Sequence, residues 1–292
     1  MKTTIANGTI TFTAESMGAE PWALGFNDDE VNYIWRPSSG ESGGTPVCFP
    51  LLGAVPGGVY RLDGNEYRMG MHGFAQFCDF SIVEKTGASV LYQISETPET
   101  LAQYPWRFCF RVRYALEGTA LVTEYRVKNN DTREMYFSVG GHPRFSCPIG
   151  GAGEFGDYVL EFEKPESPEA VIKSYSPREN ITRFMDAGGG TLRLDYSMFE
   201  QGAFCFNVRQ DRAVTLKSRA APRALRMFIG GGAWFQLWTS AGAPFIALEP
   251  WYGSISSLPI GPLDGDWKGR PGTLRIAAGE EYRCGYWVTI LK

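Results

Sequence analysis

The chain has 292 residues, a net charge of −4 and a pI near 5.4, so it offers no basic stripe to displace counterions from nucleic acid or an anionic membrane. A hydrophobic content of 43% with 21% charged residues belongs to a soluble globular protein, and 35 glycines with 14% aromatics suit a strand-and-turn architecture. The opening Met1-Lys2-Thr3-Thr4-Ile5 lacks the apolar core of a secretion signal, and the best apolar run, 233–247, is broken by Gln236, Gly242 and Pro244. Six scattered cysteines with no Cys-x-x-Cys pair read as reduced thiols, and a cytoplasmic location is expected.

Turn chemistry divides the chain into strand-like segments every eight to fifteen residues or so. Residues 3–6 and 9–12 flank Asn7-Gly8, a strong hairpin signal, and 22–26 with 33–35 form a second pair around Asn27-Asp28-Asp29. A Ser/Gly/Pro-rich loop at 37–46 leads into the apolar Val47-Cys48-Phe49-Pro50-Leu51-Leu52. A hairpin of 59–62 and 66–69 across Asp63-Gly64-Asn65 then delivers His72. Strands follow at 77–84 and 90–95, then a short helical turn at 98–104 stopped by Pro105. A meander at 107–116, 120–127 and 135–139 comes next, its last strand running straight into His142. Between 150 and 211 hydrophobicity falls, which predicts short strands and excursions with a helical turn at 196–201. Later strands are 213–216, 225–229, 234–238, 245–249, 273–277 and 282–291. No segment sustains helical apolar spacing over three turns, and no linker or fixed-period repeat divides the chain. The expected fold class is all-β: one large antiparallel β-sandwich over residues 1–292 with few short helices.

Only two histidines are present, and both lie in glycine-flanked, aromatic settings: Met71-His72-Gly73-Phe74-Ala75-Gln76 and Val139-Gly140-Gly141-His142-Pro143-Arg144-Phe145. Histidine is the side chain whose ordinary pKa lies nearest neutrality, so both are candidate proton carriers; the plain alternative is a core imidazole satisfied by a carbonyl. Glu249 ends the apolar run Phe245-Ile246-Ala247-Leu248 and precedes Pro250-Trp251-Tyr252-Gly253, where a partly desolvated carboxylate suited to a general base is expected. The plain alternative is a strand-end cap or an Arg partner. Two His and one carboxylate also suit a metal, but here they come singly, without the short intervals that preorganise most metal sites. Ser138 and Ser146 flank His142 without a Gly-x-Ser-x-Gly elbow, and Asp264-Gly265-Asp266 lacks the Glu that closes a calcium loop. The glycine runs 188–190 and 230–232 precede no helix and read as turns.

The ordered set of hairpin, His-Gly-Phe-Ala at 72–75, Gly-Gly-His-Pro-x-Phe at 140–145 and Glu-Pro-Trp-Tyr-Gly at 249–253 resembles the bacterial branch of the aldose 1-epimerase (galactose mutarotase-like) family. Tyr33-Ile34-Trp35, Phe49-Pro50, Tyr60-Arg61-Leu62-Asp63-Gly64 and Tyr104-Pro105 extend the likeness over nearly the whole chain. The resemblance implies a mutarotase-like supersandwich, no cofactor, and interconversion of the α and β anomers of a sugar. The implied partner is a small-molecule carbohydrate, neither nucleic acid nor membrane. Carried over, Glu249 is the base that removes the C1 hydroxyl proton, His142 the acid that protonates the ring oxygen, and His72 a hydrogen-bonding group beside that oxygen. The implied substrate-binding set is His72, Gln76, Arg144, Phe145 and Trp251, the last two offering the ring an apolar face. The chain also departs from the family pattern. Gly53-Ala54 stands where relatives have Gly-Arg, Gln76 where they continue with Arg, and Gly202 where an Asp that holds sugar hydroxyls is expected. Conversely, Arg144 occupies a position that is commonly small, and is expected to restore a cation to the cleft for an acidic or otherwise unusual sugar. The plain alternative is an outward Arg paired with a surface carboxylate. A carbohydrate-binding or sensor protein that keeps the cleft without turnover is the rival reading.

Overall fold

Strict alternation builds the largest sheet. In Ala120–Asn129 every second side chain, from Leu121 through Tyr125 to Asn129, is buried, and those between are not; this is the period-two signature of a strand with one face on a core. Phe108–Glu117 and Glu281–Leu291 pair antiparallel on its two sides. The computed structural model describes residues 1–37, 44–163, 171–173, 190–200, 202–207, 212–230, 234–253, 267–270 and 272–292. Among these, nine strands make one sheet in the order Thr191–Arg193, Tyr158–Phe162, Arg212–Ser218, Ala224–Ile229, Glu281–Leu291, Ala120–Asn129, Phe108–Glu117, Ser89–Ser95, Ser81–Lys85.

A second sheet runs Val171–Lys173, Ala203–Asn207, Trp234–Trp238, Phe245–Tyr252, Val139–Gly141, Val47–Cys48, with Arg144–Ser146 also pairing to Phe245–Tyr252. One of its faces carries Phe145, Phe235, Leu237, Ile246 and Leu248, which share a single buried cluster with Phe110, Val112, Tyr125 and Val288 of the first sheet. The fold is therefore the antiparallel all-β sandwich expected. The other face of the second sheet is set by register. Arg144 and Trp238 both lie opposite Ala247, Gln236 lies opposite Glu249, and Trp234 opposite Trp251. Directly opposed side chains share a face, and so do residues two apart on a strand, so all of these project to the same side.

Several local expectations change. Asp63 and Gly64 both have positive φ (50° and 80°) with Leu62 paired to Asn65, so this hairpin turns on two residues and Asn65 belongs to the strand. Asn7-Gly8 is not such a turn: Ala6 pairs with Thr11, and Asn7 Oδ1 closes the loop by accepting the Thr9 and Ile10 N–H groups (2.8 and 2.9 Å). The pair expected from 22–26 and 33–35 is replaced. Glu20–Phe26 pairs with Ile10–Glu15, the Leu24 N–H is taken by Asn32 Oδ1 (3.0 Å), and only Tyr33 N–H to Leu24 O (2.9 Å) remains. The strand expected to run from 135 into His142 breaks at Ser138, because Met135–Phe137 pairs with Leu274–Ile276 while Val139–Gly141 joins the second sheet. The helical turns stand at Pro98–Gln103, capped by Thr97, and at Tyr196–Phe199. Residues 38–43, 188–189, 231–232 and Asp264-Gly265-Asp266 lie outside the described residues. All six cysteines are free thiols, and no helix among the described residues is long and apolar enough to cross a membrane.

Phe49 anchors the junction of the two sheets: it is fully buried and its ring meets those of Phe74, Tyr104, Phe108, Phe110 and Phe137 at centroid distances of 4.6–6.1 Å. Removing an aromatic ring from such a site costs about 3–5 kcal/mol through lost burial and the cavity left behind. Phe49→Ala is therefore expected to lower the urea midpoint sharply, and an unchanged midpoint would contradict this account of the core.

Candidate active site

His72 sits in a backbone conformation that side chains usually avoid, with φ of 62°. Histidine tolerates the left-handed region better than most residues, yet the conformation still costs about 1–2 kcal/mol. Three hydrogen bonds to a neighbouring segment hold it: His72 N–H to Gly53 O (2.7 Å), Phe49 N–H to His72 O (3.2 Å) and Gly53 N–H to His72 Nδ1 (3.1 Å). The last fixes the ring chemistry. Nδ1 accepts, so in the neutral imidazole the proton rides on Nε2 and the ring presents a donor there. Gly73 follows with φ of 74°, and a Cβ on it would lie 2.2 Å from Phe49 O, so only glycine lets the two segments touch.

His142 arrives by a different strand but against the same segment. Gly140 and Gly141 pair with Cys48 and Val47, and His142 N–H donates to Pro46 O at 3.0 Å. The glycines are dictated by crowding on both faces. A Cβ on Gly140 would meet Pro250 O at 2.7 Å and the Trp251 ring at 2.8 Å, and one on Gly141 would meet the Tyr125 hydroxyl at 2.8 Å. The two imidazoles end with ring centroids 5.3 Å apart, nearly perpendicular.

Glu249 comes from the adjacent strand Phe245–Tyr252, which is buried along its whole length. Its carboxylate is fully buried, and Oε2 lies 3.4 Å from His142 Nε2. The other oxygen is held by Gln236, whose Nε2 donates to Glu249 Oε1 at 3.0 Å while its own Oε1 accepts from Cys205 Sγ at 3.2 Å. A buried carboxylate is costly unless hydrogen-bonded, and Gln236 supplies part of that support. The sequence reading missed Gln236. The available signal was one amide in the apolar strand Trp234–Trp238, although its register against Glu249 was not legible. Among the described residues no group of three or more His, Cys, Asp and Glu is arranged to hold a metal ion.

The remaining expected site residues separate. Trp251 is fully buried, donates from Nε1 to Gly141 O (3.1 Å) and packs edge-on to His72 at 5.5 Å, making it a floor beneath that imidazole. Gln76 spends both amide hydrogens on its own loop, donating to Met71 O (2.7 Å) and Gly73 O (3.2 Å), so it clamps the His72 turn and has no N–H left for a sugar. Phe145 corrects the expectation of an aromatic sugar-facing wall. It is 1% exposed on the core side of the sheet, because strand alternation sends it opposite to Arg144. Trp238, which meets His142 edge-on at 6.0 Å and is only half-buried, stands on the site side instead. Arg144 is half-buried on that same side and pairs with no carboxylate among the described residues. Ala54 is exposed, and Gly202 is half-buried at the edge of Ala203–Asn207.

Comparison with known proteins decides the family: the model described as aldose 1-epimerase matches residues 1–288. The chain belongs to the aldose 1-epimerase family. It is 30% identical to the chromosomally encoded protein LacX of Lactococcus lactis subsp. lactis, with 98% of each chain covered. A galactose mutarotase-like protein from Lactobacillus casei superposes with a TM-score of 0.87 at 26% identity, covering 99% of this chain and 100% of that one. A galactose mutarotase related enzyme from Lactobacillus acidophilus superposes with a TM-score of 0.90 at 24% identity, covering 100% and 98%, and shares the fold.

With only two histidines, the tautomer of His72 is directly measurable. Ring 15N NMR at neutral pH is expected to show His72 with a protonated Nε2 and an unprotonated Nδ1, assigned by loss of the other ring's signals in His142→Gln. A proton on Nδ1 would mean that the Gly53 bond is absent.

Proposed function

We propose that this member of the aldose 1-epimerase family interconverts the α and β anomers of an aldose by general acid–base ring opening, with no cofactor. The single observation that carries the reading is the buried carboxylate of Glu249 with its oxygen 3.4 Å from His142 Nε2, beside a second imidazole. A hemiacetal carbon bears two oxygens, O1 and the ring oxygen, each one bond from C1. Groups that close together on one wall suit a reaction that removes a proton from one and delivers a proton to the other.

The steps balance without any further reagent. Glu249 takes the O1 proton, the bond from C1 to the ring oxygen breaks, and protonated His142 delivers a proton to that oxygen, leaving a free aldehyde. Rotation about the bond between C1 and C2 presents the other carbonyl face. Closure reverses both transfers: His142 takes the hydroxyl proton back as its oxygen attacks C1, and Glu249 returns a proton to O1. His72, with Nδ1 committed to Gly53, donates from Nε2 to the ring oxygen as its charge develops. Burial excludes bulk water, so the two carriers rather than solvent set the proton inventory. Gln236 holds Glu249 in the orientation that leaves Oε2 toward the imidazole.

The rival reading, a sugar-binding or sensor protein without turnover, draws on Ala54 and Gly202, where sugar-anchoring side chains are missing. Polarimetry on freshly dissolved sugars separates the two: the enzyme reading expects accelerated anomer equilibration, and binding without acceleration supports the rival. Glu249→Gln is expected to lower kcat by roughly 10²–10⁴-fold while sugar binding is largely kept, because only proton transfer is removed. A near-wild-type rate would eliminate Glu249 as the base.

A further inference from the structure

Arg144 stands apart from every other group near the site. Register puts it on the Glu249 side of the second sheet, opposite Ala247 and two residues along the strand from Glu249, roughly 7 Å away along the strand direction. Its guanidinium carbon lies 5.2 Å from the Phe245 ring, 5.4 Å from Trp238 and 5.8 Å from Trp35. These three rings also touch one another, Trp35 to Phe245 at 4.4 Å and Trp238 to Phe245 at 5.5 Å, so the cation sits in a continuous aromatic box. Trp238 is the shared wall, with its edge contact to the His142 ring on one side and the guanidinium on the other.

The box holds the cation without neutralising it. Arg144 Nε is buried with no hydrogen-bond partner, and no carboxylate of the described residues pairs with the guanidinium. Burial pulls its pKa down from the ordinary value; the more distant fields of Glu249 and Glu20 act in the opposite sense, and Arg36 works with burial. A desolvated guanidinium of this kind is an incomplete interaction. Aromatic faces compensate only part of the lost hydration, and the planar fork of donors is shaped for two anionic oxygens.

We propose that Arg144 makes this cleft a receptor for a sugar bearing an anionic group, a carboxylate or a phosphate ester, on the exocyclic carbon. The separation along the strand matches the span of a pyranose. With C1 and the ring oxygen at Glu249 and His142, the exocyclic substituent reaches the aromatic box and closes the bidentate pair. Ala247, opposite both Arg144 and Trp238, contributes only a methyl group at that level of the face. This assignment rests on the reading of Glu249 and His142 as the proton carriers, and the test is designed so that the two fail separately.

Calorimetric binding of the full chain is measured for D-glucose, D-glucuronate and D-glucose 6-phosphate, and for the corresponding galactose series, with anomer exchange of each followed by NMR. One anionic member is expected to bind about tenfold or more tighter than its neutral parent, and whether uronate or phosphate shows the gain identifies the anion. In Arg144→Met, which keeps the apolar stem, the ratio is expected to collapse to near one; Arg144→Lys is expected to retain part of it. Equal affinity for neutral and anionic sugars in both series overturns the proposal, as does a preference that survives in Arg144→Met. Arg144-dependent anion binding with no acceleration of anomer exchange supports this assignment and removes the proton-carrier reading. Exchange of neutral sugars with no anion preference does the reverse.

Discussion

One short run of backbone, residues 46–53, ties the two histidines together. Pro46 O receives the His142 N–H, Val47–Cys48 pairs with the glycines before it, and Phe49 and Gly53 close on His72 from the other side. Each such bond contributes only about 1 kcal/mol net, but leaving any of these buried groups unpaired would cost more. The spacing of the imidazoles is therefore set by hydrogen bonds to this one run, including that from Gly53 to the His72 ring, and the site is preorganised before a ligand arrives. Glycine at 73 follows from the same constraint, since a Cβ there would strike Phe49 O, whereas Gly140 and Gly141 are required by Pro250, Trp251 and the tyrosines of the first sheet.

The carboxylate half of the site obeys a second rule, sheet register. Phe245–Tyr252 is buried on both faces: its Ile246 and Leu248 side packs on the nine-stranded sheet, and its Ala247 and Glu249 side builds the site. This arrangement puts an ionisable group in a desolvated position without opening the core, because the hydrophobic face pays none of the cost. Gln236 directly across the strand, and Arg144 across the other edge, gain their places from the same two pairings.

Much of this was legible in the sequence, and the boundary of legibility is physical. Period-two burial and turn residues marked most strands, since each depends on neighbours in the chain; Ala120–Asn129 and the turn at Asp63-Gly64 are examples. The trio of His72, His142 and Glu249 stood out because so few ionisable side chains occupy apolar, glycine-bounded surroundings. What escaped depends on pairing between distant segments. Gln236 acquires meaning only opposite Glu249, and Phe145 was assigned to the cleft because sequence does not say which face an isolated three-residue strand presents. The Asn32 side chain that displaces a strand partner at Leu24 is a local substitution for a ladder bond, and periodicity carries no trace of it.

The chain joins a family fold to a site in which two imidazoles and a buried carboxylate face one another, with a guanidinium nearby that pairs with no carboxylate among the described residues. The central claim is that proton exchange at the two oxygens of one anomeric carbon is the chemistry of this site. NMR saturation transfer between α and β anomeric protons tests it most directly, run on a reducing sugar that binds and on its methyl glycoside. The account predicts transfer for the reducing sugar and none for the glycoside, which keeps the ring but lacks the O1 proton. Absence of transfer for every reducing sugar that binds, or interconversion of the glycoside, would contradict it.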